Sequence, residues 1–439
     1  MGPLATTNLA DLKTVIPEDR FSAGEEGGNY LGNGGEVTVC PQSEQEIIDL
    51  VSYANSSGQS ISIMGAGTKR GFGGLKENAD ILLSMKNYSG IVEHVPGDMT
   101  VTVKAGTPFG ELQEYLSQYN QKVSIDPFIP EHSTVGGIIA VNDSGPKRLG
   151  YGSARDSVIG LRVVYPDGTV IRAGGKVVKN VAGYDMNKLF IGSMGTLGIL
   201  SEVTFKLRPL PKSESLVLLS FPEGSFDQIK EFAVRLLDSI LEPVALELLN
   251  PSLSEKMIGI RRKTLAIGFE DVESSVLFQE NYLKGIKPDH ADITVLSEEN
   301  TRAFWKKFYG NPMGKTSDDL QASLKIGVVN LDVLAIIEES IKLVSAGPLE
   351  IKAHGGLGHG MSRVILKGKD ELVIDVIRQL RKKAEELGGY AIITHLPFDF
   401  RKQIDVWGEK PPYFFLMEGI KETIDPNNTL NRHRFLGGI

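Results

Sequence analysis

The sequence predicts an α+β fold in two parts: a glycine-rich first domain of mixed strands and helices, then a domain of strands and helices on one shared sheet. Three observations carry that expectation. Thirty of the 49 glycines fall in residues 1–200, about twice the density of the remainder, so the backbone there must often take positive φ or pass close to another group. After Pro209-Leu210-Pro211 the texture changes to strands and helices in alternation. Each later helix carries a single apolar stripe, so these segments pack on a shared sheet, in an order that resembles two copies of a strand-helix unit.

Composition narrows the function. A chain of 439 residues is long enough for roughly three units of about 150 residues, or two with one large. Lys+Arg 47 against Asp+Glu 55 leaves a net charge of −8, which offers no general cationic surface to nucleic acid or anionic lipid. The single cysteine, Cys40, excludes an internal disulfide, a four-thiolate zinc site and an iron–sulfur cluster, and fits a reducing cytoplasm. Any iron–sulfur electron transfer would need a second chain. No run of about 18 apolar residues and no signal-peptide pattern is present, so the expectation is a cytoplasmic protein that meets a membrane only through partners.

The elements follow in order. VTVC (37–40) reads as a strand ended by Pro41. Ser43 and Glu46 then form a capping box for a helix with Ile47, Ile48, Val51 and Ala54 on one side and Gly58 at its end, before the strand ISIM (61–64). The glycine loop 65–74 superficially matches a dinucleotide fingerprint, but strand-like text follows where that motif needs a long helix. Thr107-Pro108 opens a helix, and SIDPFIPEHSTVGG reads as a long loop ending in Gly136-Gly137. Val158–Tyr165 and Thr169–Ala173 flank a hairpin turn at Gly168. From 215 onward strands and helices alternate to YAIITHLP, and the tail adds one helix stopped by Asp425-Pro426.

Three glycine clusters bear chemistry. Loop 65–74 can present several N–H groups to one anion, with Lys69 and Arg70 adding charge, or can simply join two strands tightly. STVGG (133–137), with Asn142 and Gly145, allows a second close backbone approach. GSMGTLG (192–198), followed by Ile199, suits either a cofactor contact or a bulge. Together they point to one extended nucleotide cofactor, and spacing goes no further.

In order, IMGAGTKRGFGG, VTVKAGTPFGELQEYL, STVGGIIAVNDSGPKRLGYGSARDSVIGLRVVYPDGTVI and KVVKNVAGYDMNKLFIGSMGTLGILSEVTFKLRPLP resemble the FAD-binding domain of the vanillyl-alcohol oxidase and p-cresol methylhydroxylase (PCMH) superfamily. Within it, Gly175–Pro211 is most similar to the FAD-binding E-type subunit of bacterial glycolate oxidase. The resemblance implies a two-part PCMH-type FAD-binding domain at 35–212 after an N-terminal extension (1–34). The resemblance also implies an α+β cap (213–404) with a large, mostly antiparallel sheet and a C-terminal segment (405–439) returning to the first domain. It implies that Gly65, Gly67, Thr68 and Lys69 cradle the pyrophosphate, that Thr134, Gly136, Gly137 and Asn142 line the flavin side, and that Ile199 lies near the adenine. Arg70, Gly145 and Gly152 complete the expected cofactor set. The first glycine loop holds no histidine, so the FAD is expected to be non-covalent.

Related 2-hydroxy-acid dehydrogenases carry H-x-G-D-G-N-x-H, which falls here on HGGLGHGM (354–361). Leu357, His359 and Met361 replace the aspartate, asparagine and second histidine, so no metal is expected. Met194 similarly stands where those enzymes usually have glutamate. His354 and His359 in this glycine-rich turn could still hold an anion or a base, with His395 on a neighbouring strand, or could be polar turn or interface residues; His354 and His395 are the catalytic candidates. Trp305-Lys306 reads as a packing tryptophan beside a solvated lysine. Lys179 and Tyr184 face either the flavin or an interface. In the tail, Asp425-Pro426 and Asn431 fit the superfamily, while Arg432-His433 replace Pro-Gly.

The implied activity is oxidation of a small 2-hydroxy acid, glycolate to glyoxylate, as one subunit beside a catalytic FAD-containing D-type subunit and an iron–sulfur F-type subunit. A self-sufficient, D-lactate-dehydrogenase-like enzyme and a non-redox FAD scaffold are the competing expectations.

Overall fold

Strand Gly34–Val39 pairs in parallel with Asn78–Ser84, which pairs in parallel with Ile61–Met64, and Phe21–Ser22 completes a four-stranded sheet. The structure is a computed structural model and describes residues 9–22, 30–175, 184–222, 225–310, 319–344 and 348–439. Helix Glu44–Ser57 makes the crossover from Gly34–Val39 to Ile61–Met64, starting at Ser43, whose hydroxyl accepts from Glu46 N, and ending at Gly58 with φ 73°. The expected capping box forms only in half. Glu46's carboxylate is drawn instead to the Arg20 guanidinium (3.0 Å) and to the Gln42 N–H (2.6 Å), charge-assisted partners that outcompete the N-cap amide.

A second, five-stranded antiparallel sheet contains Ile91–Val95, Thr100–Lys104, Ile199–Lys206, Val158–Val164 and Val170–Gly174 in that order. The expected hairpin turn is present, with Gly168 at φ 84°. The Gly136-Gly137 pair, read as the end of a loop, instead lies inside helix Val135–Val141. A short apolar run with two glycines carries little helical signal, and packing supplies the reason. Gly136 N donates to Ala105 O at 2.7 Å, and a Cβ on Gly136 would stand 2.7 Å from that of Ala105.

Gln121–Lys122 and Arg208–Pro209 form a two-stranded sheet, and the largest sheet has eight strands, all antiparallel, in the order Asp292–Leu296, Ser213–Phe221, Lys263–Asp271, Ala245–Leu249, Glu350–Gly356, Met361–Gly368, Leu320–Gly327, Tyr390–His395. Numbered in chain order within each half, the strands run 4-1-3-2 and then 2-3-1-4. The two halves are thus copies of one split β-α-β unit, mirrored about the seam between Ala245–Leu249 and Glu350–Gly356. Alternation along Ser213–Phe221 sends Val217, Leu219 and Phe221 into the helix-covered core, and Leu216 and Leu218 into a smaller core with Phe128, Trp305 and Phe308.

That smaller core joins the cap sheet to the first domain, and an ion cluster lies nearby. Glu270 of strand Lys263–Asp271 is 2 % exposed and pairs with Lys122 and Lys147, and Tyr151 donates to it at 2.6 Å. Burial pushes its carboxyl up, but the two lysines outweigh burial and hold it at about 2. Glu270→Leu should therefore cost about 3 kcal/mol in urea denaturation, because the half-buried Lys122 loses its ion-pair partner and Lys147 keeps only Glu214, 3.7 Å away. A loss below about 1 kcal/mol would show that water screens the cluster.

The tail packs on the first domain. Ile61 N donates to Thr429 O, and Asn431 N donates to Ile61 O, both at 2.8 Å. Buried Lys421 pairs with Asp425 and donates to Thr196 O, while Asp425 accepts from the amides of Thr429 and Leu430. No helix among the described residues is long and apolar enough to cross a membrane.

Candidate functional site

Strand Ile61–Met64 runs into the glycine loop, and the tail fixes how that loop faces. Buried Arg434 donates to the carbonyls of Ile63 and Lys69 (both 3.3 Å), Arg401 donates to Gly73 O, and Asn33 Nδ2 donates to Arg70 O (2.7 Å). With these carbonyls tied down, the amides of Ala66, Gly67, Thr68 and Lys69 have no acceptor among the described residues, and those residues line a cleft of about 90 Å³. Burial, and then the neighbouring guanidiniums, lower Arg401 to about 9 and Arg434 to about 10. Free amides over a clustered positive field favour an anion of pyrophosphate type. The fit is close: a Cβ on Gly65 would overlap Thr134 Oγ1, so only glycine lets the loop meet helix Val135–Val141.

A second cavity of about 230 Å³ shares Gly67, Thr68, Lys69 and Val141 with this cleft and reaches the cap sheet. At the seam between the sheet halves stands Glu247, 1 % exposed. His354 Nδ1 lies 2.7 Å from Glu247 Oε2, and His359 Nε2 lies 3.1 Å from Oε1. Burial pushes Glu247 up, yet the two histidines together hold it below the usual carboxylate range. The Met361 N–H donates to His359 Nδ1, so His359 carries its proton on Nε2 and donates to Glu247. Both its nitrogens are engaged. The ionised Glu247 likewise requires the His354 proton on Nδ1, and His354 Nε2 has no protein partner among the described residues. His354 lines the cavity between Phe128 and Phe308.

Across the adjoining strands His354 registers with Arg363, and Arg363 with Lys325. The Arg363 guanidinium lies 3.9 Å over the Phe128 ring, and its Nε donates to Ser323 Oγ. Lys69 pairs with Asp143 at 2.7 Å. Burial works against the Asp143 anion, but Lys69, Arg363 and Lys325 prevail and keep its carboxyl low.

His395 also lines this cavity, and burial, Arg363, Arg401 and Lys69 push it down to about 4. It is neutral at physiological pH. A histidine depressed from 6.5 to about 4 binds fewer protons folded than unfolded, so its share of stability is complete above about pH 6.5 and is lost as pH falls towards 4. Replacing His395 by Asn should therefore flatten the unfolding free energy between pH 6.5 and 4 by about 3 kcal/mol. An unchanged slope would show that His395 titrates normally.

Of the residues named from sequence, Gly65, Gly67, Thr68, Lys69, Arg70, Thr134, Gly136 and Gly137 line the first cleft, and Gly145, His354 and His395 line the second cavity. Three lie elsewhere. Ile199 is buried in the first domain's core while Gly198 and Leu200 line the cleft, since alternation at the strand start turns Ile199 to the opposite face. Gly152 closes a turn at φ 77° against Asp156, and Asn142 caps helix Val135–Val141 in a left-handed conformation at φ 50°. Tyr184 is 92 % exposed, and Lys179 lies outside the described residues. Trp305 is buried in the smaller core and Lys306 is exposed. Among the described residues no group of three His, Cys, Asp or Glu side chains is arranged to hold a metal ion.

Sequence reading missed Glu247, Arg363, Lys325 and Asp143. Two carried a signal: a lone glutamate in ALELL and a lone lysine in ASLKIG are charges within buried strands, which need partners or a ligand.

Residues 35–174 match the family model described as FAD binding domain. The chain is 26% identical over 457 residues to the mitochondrial cytochrome-type D-lactate dehydrogenase of Arabidopsis thaliana, covering 97% of this chain and 78% of that one. It is 26% identical over 414 residues to glycolate oxidase subunit GlcD of Bacillus subtilis (90% and 88%). Glycolate oxidase subunit GlcE of Escherichia coli is 34% identical over 170 residues, 38% of this chain and 48% of that one. Among solved structures, p-cresol methylhydroxylase with substrate bound superposes with a TM-score of 0.74 at 14% identity, covering 97% of this chain and 95% of that one. An alkyldihydroxyacetonephosphate synthase gives 0.69 at 19% identity (97% and 85%).

Proposed function

Because the chain is an FAD-binding oxidoreductase of the PCMH-type fold, related to glycolate oxidase and D-lactate dehydrogenase, we propose that it oxidises a 2-hydroxy acid to the 2-oxo acid in its own cavity. The observation that carries this reading is the Glu247–His354 pair, which leaves Nε2 unpartnered one strand from Arg363. FAD, when bound, supplies the two-electron acceptor for the C2 hydrogen. His354 Nε2 takes the hydroxyl proton as that bond breaks and the C2 carbonyl forms. Glu247 fixes the tautomer and offsets the imidazolium charge, and Arg363 holds the 2-carboxylate. His359 is a positioning residue that braces Glu247.

The residues proposed to hold the cofactor are the amides of the glycine loop with Lys69 and Arg70, and Thr134, Gly136 and Gly137. With no histidine in that loop, acid precipitation should release all the FAD into the supernatant; yellow protein in the pellet would mean a covalent link elsewhere. The reaction is tested under anaerobic conditions by trapping the product as a hydrazone. One equivalent of 2-oxo acid per FAD supports the reading, and none from any 2-hydroxy acid overturns it.

A second reading places this chain beside a D-type flavoprotein and an iron–sulfur F-type subunit in a glycolate-oxidase-type complex. It is favoured by the single cysteine, which leaves onward iron–sulfur transfer to another chain, and by the similarity to GlcE. Affinity isolation from the native cell should then bring down an iron–sulfur protein in fixed ratio; recovery of the chain alone would exclude it.

A further inference from the structure

Cation and anion counts along the second cavity do not balance. Its lining contains Lys69, Arg148, Lys325 and Arg363 against Asp143 and Glu247. Asp143 is bound by Lys69, and Glu247 is engaged by His354 and His359. Arg363 makes one side-chain hydrogen bond, through Nε to Ser323, which leaves its two terminal nitrogens open; Lys325 and Arg148 make none, and none of the three forms an ion pair among the described residues. Asp143 acts on Arg363 and Lys325 as well as on Lys69, so one carboxylate is shared among three cations; cations removed from water with too little counter-charge are costly, and a site retains them when its ligand supplies the rest.

Their positions are also separated. Arg363 is one strand from His354 and Lys325 is two strands away in the same row, which places Lys325 about 10 Å along the sheet from the His354 strand at 4.7–4.9 Å per strand. Arg148, at the start of the short helix Arg148–Tyr151, lines the same cavity as Lys325, and the two like charges oppose each other. One carboxylate cannot satisfy both ends of this row.

Resting on the 2-hydroxy-acid reading above, we propose that the substrate is a dianion, a 2-hydroxy acid with a second carboxylate two or three carbons from the first. Arg363 takes the carboxylate beside the reacting carbon, and Lys325 with Arg148 takes the distal one. Lys325 is the residue that separates dicarboxylic from monocarboxylic substrates.

The test compares anaerobic flavin reduction by D-malate and D-2-hydroxyglutarate with reduction by D-lactate and D-2-hydroxybutyrate. The better dicarboxylate should exceed the monocarboxylates by at least about 30-fold in kcat/KM, the size expected for one added charged hydrogen bond. Lys325→Met should bring that ratio to within about threefold of one with FAD content retained. Equal or faster reduction by the monocarboxylates, or an unchanged ratio in Lys325→Met, overturns the proposal and leaves the oxidase reading intact. If no 2-hydroxy acid reduces the flavin, the oxidase reading fails and glutarate binding decides the dianion site. Perturbation of the oxidised flavin band that weakens at least tenfold in Lys325→Met supports it, and no perturbation overturns it.

Discussion

Glu247→Gln should slow flavin reduction by a 2-hydroxy acid about 10²- to 10⁴-fold while the FAD stays bound. The glutamine has nearly the same volume, so the seam of the cap sheet keeps its packing. Its amide nitrogen, however, presents N–H groups where the carboxylate presented lone pairs. Where that NH₂ faces His354 Nδ1, the imidazole must carry its proton on Nε2, the nitrogen that lines the cavity without a protein partner. The base is then in the wrong tautomer. The negative charge that offsets an imidazolium is lost as well. Glu247 does not line the glycine-loop cleft proposed to hold the cofactor, so the flavin-to-protein ratio should equal that of the parent. Stopped-flow bleaching with the flavin ratio measured alongside checks both. A rate within threefold of the parent would remove His354 from the base role, and His395→Asn would become the next variant to examine.

The second large effect is on the cofactor. Gly65→Val should yield folded protein with FAD affinity reduced at least 100-fold. A branched side chain at this position runs into Thr134 Oγ1, forcing the loop away from helix Val135–Val141 and carrying the amides of Ala66 to Lys69 with it. Each hydrogen bond from such an amide to a charged group is worth about 1.5–3 kcal/mol, so displacing two accounts for the loss. Gly65 is not among the positive-φ positions, and the effect is therefore one of space rather than backbone strain. Gly65→Ala combined with Thr134→Ala should recover part of the binding. Full FAD content in Gly65→Val would show that the loop does not meet the cofactor.

Local chemistry explains what could be read before the structure. Ser43, Gly58 and Gly168 act within a few residues of themselves, so the helix start, helix stop and hairpin turn are visible in short windows. Apolar periodicity exposed the helices and strands of the cap in the same way. The mirrored 4-1-3-2 arrangement is different in kind, because strand order depends on pairings between segments with no shared residue pattern. Glu247 and His354 are 107 residues apart and meet only when the two half-sheets join. His354 was found through its glycine-rich motif, whereas its partner sits in a strand that otherwise reads as plain core. Ile199 illustrates a smaller gap: a one-residue change in where the strand begins decides which face it takes, and the glycines preceding it carry no such phase. Arg401 and Arg434 were invisible for the same long-range reason, although they tie down the carbonyls of the glycine loop and the strand before it.

The most direct measurement is the visible spectrum of the purified, FAD-loaded chain under anaerobic conditions, before and after a 2-hydroxy acid is added with no partner protein present. Bleaching of the flavin band to the reduced form, with a rate that Glu247→Gln lowers, is the predicted result. A band that stays oxidised with monocarboxylic and dicarboxylic 2-hydroxy acids alike, yet bleaches on dithionite, would contradict the claim that this chain's own cavity performs the oxidation.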